Sequence, residues 1–306
     1  MNQTRVTESI DEAVAVLASG GLVGIPTETV YGLAARVSDE RAVRRVFTVK
    51  GRPTDHPLIV HVSSLEQAAA YGEFDARSTS LARRFWPGPL TVLVRRRDSV
   101  PDAVTGGRGT VAIRVPAHPM ALELIDRLGE GVVAPSANRF GHVSPTDVSH
   151  VVADLDGLVD LVLDGGRCQV GVESTIVDCT GVLQVLRPGA VSAAQIEETT
   201  GERLSGPDGP SRAPGMLNSH YAPSARVHLV SSSGEARRVL SAVPSGAVAR
   251  VLGDGVDAVE YASTLYGDLR RADDDGVTDV VAVLPAGEGL AAAVRDRLTK
   301  AAAERP

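Results

Sequence analysis

The stretch TVKGRPTDHPLIVHV, Thr48–Val62, holds one of only two lysines in a chain that carries 29 arginines; the other is Lys300. Lys50 and Arg52 stand two residues apart where a helical pattern gives way to Pro53, which blocks its continuation. Two cations at such a junction suit a polyphosphate, because the ammonium is a mobile point charge and the guanidinium a fixed fork of donors. The same residues would also offset the negative end of a helix dipole, and the sequence leaves both readings open.

Other residues with chemical potential lie further along. His61 falls inside the apolar run PLIVHV, where two-residue alternation puts it on the face of Ile59 and away from Val60 and Val62. It is either a packed, hydrogen-bonded core histidine or a group facing a ligand. His56 and His61 have no third ligand at metal spacing, which excludes a zinc site built on them. Arg114 sits in the short strand pattern VAIRVP, and a half-buried guanidinium there requires an anion. APSANRFGHVSPT places Ser136, Asn138 and Ser144 around a strand end, followed by a helix start. Small polar groups at such a place hold phosphate or ribose, although loop and capping chemistry explains them equally simply. Ser174 and Thr175 lie within VESTIVD. Neither lysine follows the glycines of a Walker A loop, and GDGVDA at Gly253–Ala258 reads better as an Asp-Gly turn than as a dinucleotide site.

The elements that must position these groups alternate between helix and strand. SIDEAVAVLASGG has helical apolar spacing, with Ser9 as cap and Gly20 and Gly21 as stop. LVGIP is a buried strand, and TETVYGLAA is expected to be a loop. LIVHV, LTVLVRR, TVAIRVP, GVVAPS, LVDLVLDGG, STIVDC and VLQVLRP are further strands, with HPMALELIDRL a helix between two of them. So many strands predict a large twisted sheet covered by helices, an α/β fold. GERLSGPDGPSRAPGMLNSHYAP has no apolar period and is rich in Gly, Pro and Ser, which marks a linker. Strand and helix patterns then repeat from ARVHLV to GLAAAVRDRLTKAAA, a small parallel α/β unit. The expected division is 1–203, a linker over 204–223, and 224–306.

A formal charge of −7 argues against a broad basic nucleic-acid face and hence against stable nucleic-acid binding. Cys168 and Cys179 are too few for a disulfide framework and read as buried thiols. The polar, acidic start is not a signal peptide, and no apolar run approaches the roughly 20 residues of a membrane span, so a cytoplasmic location without membrane contact is expected.

PTETVYGLAA, KGRP, PLIVHV, WPGPLTVLV, TVAIRVPAHP, APSAN, SPT, DGG, GVESTIVD and LRPGA occur in an order that resembles YrdC-like proteins. With PGM, HYAP and the small α/β unit, the chain resembles the two-domain branch of threonylcarbamoyl-AMP synthases over nearly its whole length. The resemblance implies a large open twisted-sheet domain with a positively charged hollow, plus a small Rossmann-like domain whose linker closes over that hollow. It implies a nucleotidyltransferase that joins L-threonine, bicarbonate or CO2, and ATP with its Mg2+, giving threonylcarbamoyl-AMP and pyrophosphate. A separate tRNA threonylcarbamoyl transferase would use the product next to the anticodon. The resemblance assigns ATP to Lys50, Arg52, His56, Thr110, Ser136, Asn138, Ser144, Arg187 and Tyr221, with Lys50 and Arg52 catalytic. It assigns threonine to Thr29, His61, Arg114, Ser174 and the backbone of Ala134. His56 stands where relatives commonly carry asparagine, and Leu217 and Asn218 replace the usual basic and aromatic linker residues. The competing readings are another carbamoyl-adenylate-forming enzyme and an RNA-binding module without chemistry.

Overall fold

The structure is a computed structural model and describes residues 3–206, 222–244 and 246–303. Among these residues, eleven strands form one large mixed sheet. Across it run Arg5–Thr7, Leu161–Leu163, Val23–Ile25, Gly32–Arg36, Val132–Val133, Ile59–His61, Thr110–Arg114, Leu90–Arg96, Thr175–Asp178 and Gln184–Arg187, with Gly72–Glu73 joined to Leu90–Arg96. The helices over the sheet bury one apolar stripe each. Ile10–Ala18 is capped by Ser9, whose side chain accepts from the Glu12 amide, and buries Ala13 and Leu17. Glu40–Lys50 is capped by Asp39 and ends at Gly51, which takes the left-handed conformation at φ 63°. Gly51, rather than Pro53, is thus the stop that delivers Lys50 and Arg52 to a loop.

The expected loop TETVYGLAA is only partly a loop. Gly32–Arg36 is a strand, antiparallel to Val23–Ile25 and paired on its other side with Val132–Val133. Its residues Gly-Leu-Ala-Ala are buried on both faces, so the sequence shows no two-residue alternation there. The register that matters for the site is parallel: Ile59 lies opposite Ala112 and His61 opposite Arg114. It sets a histidine and an arginine side by side at the ends of neighbouring strands.

A second sheet has three parallel strands, in the order Arg226–Val230, Asp279–Val283, Ala249–Leu252. Helices Ser233–Ala242, Ala258–Asp274 and Leu290–Ala302 accompany it. GDGVDA forms the turn before the second of these helices, and a side chain at Gly253 would run into the Tyr261 ring. Each sheet has its own core, and one buried cluster joins the two domains. Val30, Val143 and Val172 of the large domain belong to the same buried cluster as Tyr261, Leu265, Tyr266 and Val294 of the small one. Gly171, at φ 77°, lets the chain press against helix Ala258–Asp274; a Cβ there would lie 2.3 Å from the Ala262 carbonyl oxygen. No helix among the described residues is long and apolar enough to cross a membrane.

Candidate active site

The strand ends open into a hollow lined by Thr27, Thr29, His61, Arg114, Ala134, Ser136, Ser174, Glu173, Arg187 and Arg52, with Val30, Gly32, Ile59 and Pro135 between them. All five residues assigned to threonine are in this wall. Of those assigned to ATP, Arg52, Ser136 and Arg187 line it. The hollow is partly open to solvent and has room for a small group.

Arg114 is buried and completely framed. Its Nε donates to the Gly88 carbonyl at 3.2 Å and its Nη1 to Thr29 Oγ1 at 2.8 Å, while Nη2 forms an ion pair with Glu28 Oε1 at 2.7 Å. The anion that a buried arginine requires is thus supplied in part by the protein, from Glu28, a residue the sequence reading passed over. Glu28 also accepts from the Ala117 amide at 3.0 Å. Hydrogen bonds use two of the guanidinium's five N–H donors, and Nη2 donates none of its own within the protein. Thr29 is held in turn by Thr27, their hydroxyls 2.9 Å apart.

His61 faces this arginine. Burial, the charge of Arg114 and that of Arg187 push its pKa down to about 3, against a hydrogen bond to the Ile59 carbonyl. The ring is therefore neutral at physiological pH. Arg187 Nε donates to the Ser174 carbonyl at 3.0 Å, and its Nη2 to Ser174 Oγ at 3.1 Å. Ser174 Oγ also meets Thr91 Oγ1 at 2.7 Å.

Lys50 is placed differently from Arg52. Its side chain is buried behind the hollow, with Nζ donating at 2.5 Å to the carbonyls of both Ser136 and Asn138. Burial and the neighbouring Arg52 lower its pKa well below that of an ordinary lysine. The ammonium position thus fixes the Ser-Ala-Asn turn whose first residue lines the wall. Asn138 reinforces that turn by donating from Nδ2 to the carbonyls of Arg139 and His142. Arg52 reaches the hollow itself; it also donates to the Pro57 carbonyl at 3.2 Å and lies over the Phe140 ring, 5.8 Å from its centre. His56 meets the same ring edge-on at 5.7 Å. Thr110 opens the strand that ends at Arg114, roughly 13 Å away at the usual rise per residue. His56 and Thr110 are outside the enclosed wall, and Ser144 touches it through Glu173, to which its hydroxyl donates at 2.6 Å. Tyr221, Leu217 and Asn218 lie outside the described residues, as does most of the expected lid.

A larger hollow of about 980 Å³ lies between the domains, on the far side of Phe140, with Asp147, His150, Asp154, Arg167 and Arg270 in its wall. Arg270 and Asp154 pair within it at 3.0 Å. The convergence of buried arginines on exposed carboxylate-sized space occurs in the smaller hollow, and the site is placed there. Among the described residues no group of three or more His, Cys, Asp or Glu could hold a metal ion. Both cysteine thiols are buried and pushed up to about 12 by that burial, which leaves them inert.

Fold and site define an α/β protein whose strand ends form a hollow lined by buried arginines, with a second domain packed against it. The comparisons specify it further. Residues 15–189 match the Sua5_yciO_yrdC family model, described as "Telomere recombination", and residues 191–303 match the threonylcarbamoyl-AMP synthase C-terminal domain. Threonylcarbamoyl-AMP synthase of Pyrococcus abyssi is 40% identical over 98% of this chain and 97% of its own. That of Bacillus subtilis is 37% identical over 97% of this chain and 93% of its own. The crystal structure of P. abyssi Sua5 complexed with L-threonine superposes with a TM-score of 0.90 at 38% identity, covering 98% of this chain and 96% of that one. E. coli YciO shares the fold of the large domain, with a TM-score of 0.54 over 61% of this chain and 95% of that one. The chain belongs to the threonylcarbamoyl-AMP synthase family, in its two-domain form.

Proposed function

We propose that this protein makes L-threonylcarbamoyl-AMP and pyrophosphate from L-threonine, bicarbonate or CO2, and ATP, for threonylcarbamoyladenosine modification of tRNA next to the anticodon. The observation that carries the reading is the convergence of Thr29, His61, Arg114, Ala134 and Ser174 on one hollow that also receives Arg52, Ser136 and Arg187. An amino-acid pocket and an anion pocket share a wall, which is the arrangement a reaction between threonine and a nucleotide requires. The threonine complex of the P. abyssi relative supports the amino-acid half.

Threonine's carboxylate pairs with the remaining donors of Arg114, and Thr29, Ser174 and the neutral His61 orient its amine and hydroxyl. The neutral amine adds to CO2 and releases a proton, or displaces water from bicarbonate as a carbon–oxygen bond breaks; either route gives the carbamate. A carbamate oxygen attacks the α-phosphorus of ATP, and pyrophosphate departs as the α–β phosphoanhydride bond breaks. The nucleophile belongs to the substrate, so no side chain forms a covalent intermediate. Arg52 and Arg187 stabilise charge on the phosphates, and Lys50 acts by holding the Ser136–Asn138 turn that contacts them. Mg2+ enters as part of the nucleotide. Glu28 is engaged by Arg114, and Glu173 by Arg297, Tyr266 and Ser144, so neither carboxylate fits as a ligand and the ion is held through phosphate and water.

The test is incubation of the pure protein with ATP, Mg2+, labelled bicarbonate and each amino acid in turn. A labelled adenylate formed with threonine in preference to the others is expected. Adenylate formation without preference for threonine would remove the substrate assignment. No adenylate together with salt-sensitive RNA retention on a filter would favour the binding-module reading.

A further inference from the structure

Thr27 is buried in the wall of the hollow, in the segment between strands Val23–Ile25 and Gly32–Arg36. Its hydroxyl oxygen lies 2.6 Å from the Val30 carbonyl oxygen and 2.9 Å from Thr29 Oγ1, and it accepts from the amides of Thr29 and Val30 at 3.2 Å each. A carbonyl oxygen has no hydrogen to give, so the single hydroxyl proton of Thr27 goes to Val30. The proton between Thr27 and Thr29 is therefore that of Thr29. Arg114 Nη1 donates to the same Thr29 oxygen at 2.8 Å. The chain runs in one direction, from Arg114 to Thr29, from Thr29 to Thr27 and from Thr27 to the Val30 carbonyl. It leaves Thr29 Oγ1 one lone pair, and no proton, for a ligand.

His61 is ordered in the same sense. A neutral imidazole has one N–H, and Nδ1 lies 3.3 Å from the Ile59 carbonyl, which can only accept. The proton is thus on Nδ1. Nε2 has no hydrogen-bond partner among the described residues and keeps its lone pair. His61 stands opposite Arg114 in the register of neighbouring strands, so both acceptors lie beside one guanidinium. Ser174 is not ordered in this way. Its Oγ accepts from Arg187, and either it or Thr91 Oγ1 can supply the proton between them.

Two acceptors beside a cation sort the groups of an α-amino acid. The carboxylate only accepts, so it is drawn to Arg114 and turned away by Thr29 and His61. A hydroxyl has one proton and can serve only one of the two. The neutral amine has two N–H groups, one for each acceptor, and its lone pair then faces elsewhere. We propose that Thr27 is a positioning residue of the amino-acid pocket: by taking the Thr29 proton it makes Thr29 Oγ1 and His61 Nε2 a pair of acceptors for the threonine amine, with the nitrogen lone pair left open for reaction. The inference rests on the synthase reading and adds to it a residue that acts through Thr29.

The experiment measures binding of two ligands by ligand-observed NMR, beside a melting curve, in the parent, T27V, T27S and H61L. One ligand is L-threonine; the other is (R)-3-hydroxybutanoate, which keeps the carboxylate and hydroxyl and lacks the amine. T27V leaves the Thr29 proton without an acceptor, so that it turns toward the ligand. It is expected to bind threonine roughly tenfold more weakly, or worse, and the analogue within about threefold of the parent. T27S keeps the hydroxyl and is expected to bind both within about threefold. H61L removes the second acceptor and is expected to repeat the T27V pattern; T27S and H61L decide the matter should T27V not fold. Equal losses for the two ligands in T27V or H61L are what a merely structural role gives, and they would overturn the proposal. So would a T27V variant that binds threonine like the parent, a tenfold loss of threonine with T27S, or an analogue that the parent does not bind. Parent protein that binds threonine keeps the synthase reading standing through any of these results; parent protein that binds none would sink that reading as well.

Discussion

Replacing Arg114 by methionine tests two roles of one guanidinium, the proposed grip on substrate and the observed ion pair with Glu28. In the threonine pocket it would remove a charge-assisted hydrogen-bond partner of the substrate carboxylate, worth roughly 1.5–3 kcal/mol. At about 1.4 kcal/mol per tenfold, the threonine requirement should rise roughly ten- to hundredfold. The same change strips Glu28 of its ion-pair partner in a buried site, leaving the Ala117 amide on one oxygen. Breaking a buried pair from one side costs roughly 3–5 kcal/mol. For a domain of this size that lowers the melting temperature by about 6–20 °C. R114M alone would therefore lose activity for two reasons at once. The double variant R114M/E28Q removes both charges, and it should melt within a few degrees of the parent while retaining the threonine defect. The assay is pyrophosphate release with threonine and ATP varied in turn, beside a melting curve. A folded R114M/E28Q whose ATP and threonine requirements rise equally would refute the carboxylate assignment. An R114M variant that melts like the parent would refute the role given to Glu28.

Two further expectations follow from the buried cation and the buried histidine. K50M should cut threonine- and bicarbonate-dependent pyrophosphate release by about a hundredfold or more, through loss of the turn that presents Ser136; near-normal turnover would remove Lys50 from the mechanism. His61 stays neutral in the fold down to about pH 3, whereas the unfolded chain takes up a proton near pH 6.5. Its contribution to stability is therefore complete above pH 6.5 and declines as pH falls toward 3, by up to about 1.4 kcal/mol per pH unit. Between pH 7 and pH 5 the parent should lose roughly 2 kcal/mol more than H61Q in denaturant titrations. His150, pushed down to about 4 chiefly by burial and Arg270, contributes equally to both proteins and cancels. Identical losses in the two proteins would show that His61 titrates normally.

What the amino-acid order settled by itself is local. The Ser9 cap and the apolar spacing behind it define the first helix, because both act within a few residues. The alternation that set His61 on the face of Ile59 holds, since both line the hollow while Val60 and Val62 enter the main core. The ordered motifs sufficed to suggest the family, and the five residues assigned to threonine meet in one hollow. Gly32–Arg36 escaped because a strand buried on both sides carries no alternation. The partners of the charged groups were decided only by the tertiary fold. Nothing near Arg114 in sequence announces Glu28, 86 residues earlier, as its counter-ion, nor does Lys50 announce the carbonyls it holds across 86 and 88 residues. The contact between Glu173 and Arg297 spans 124 residues and two domains. Local patterns record which face a side chain takes, because neighbours on one element share its geometry. A buried charge finds its partner through the packing of distant elements, and only the folded chain brings those elements within a few ångströms.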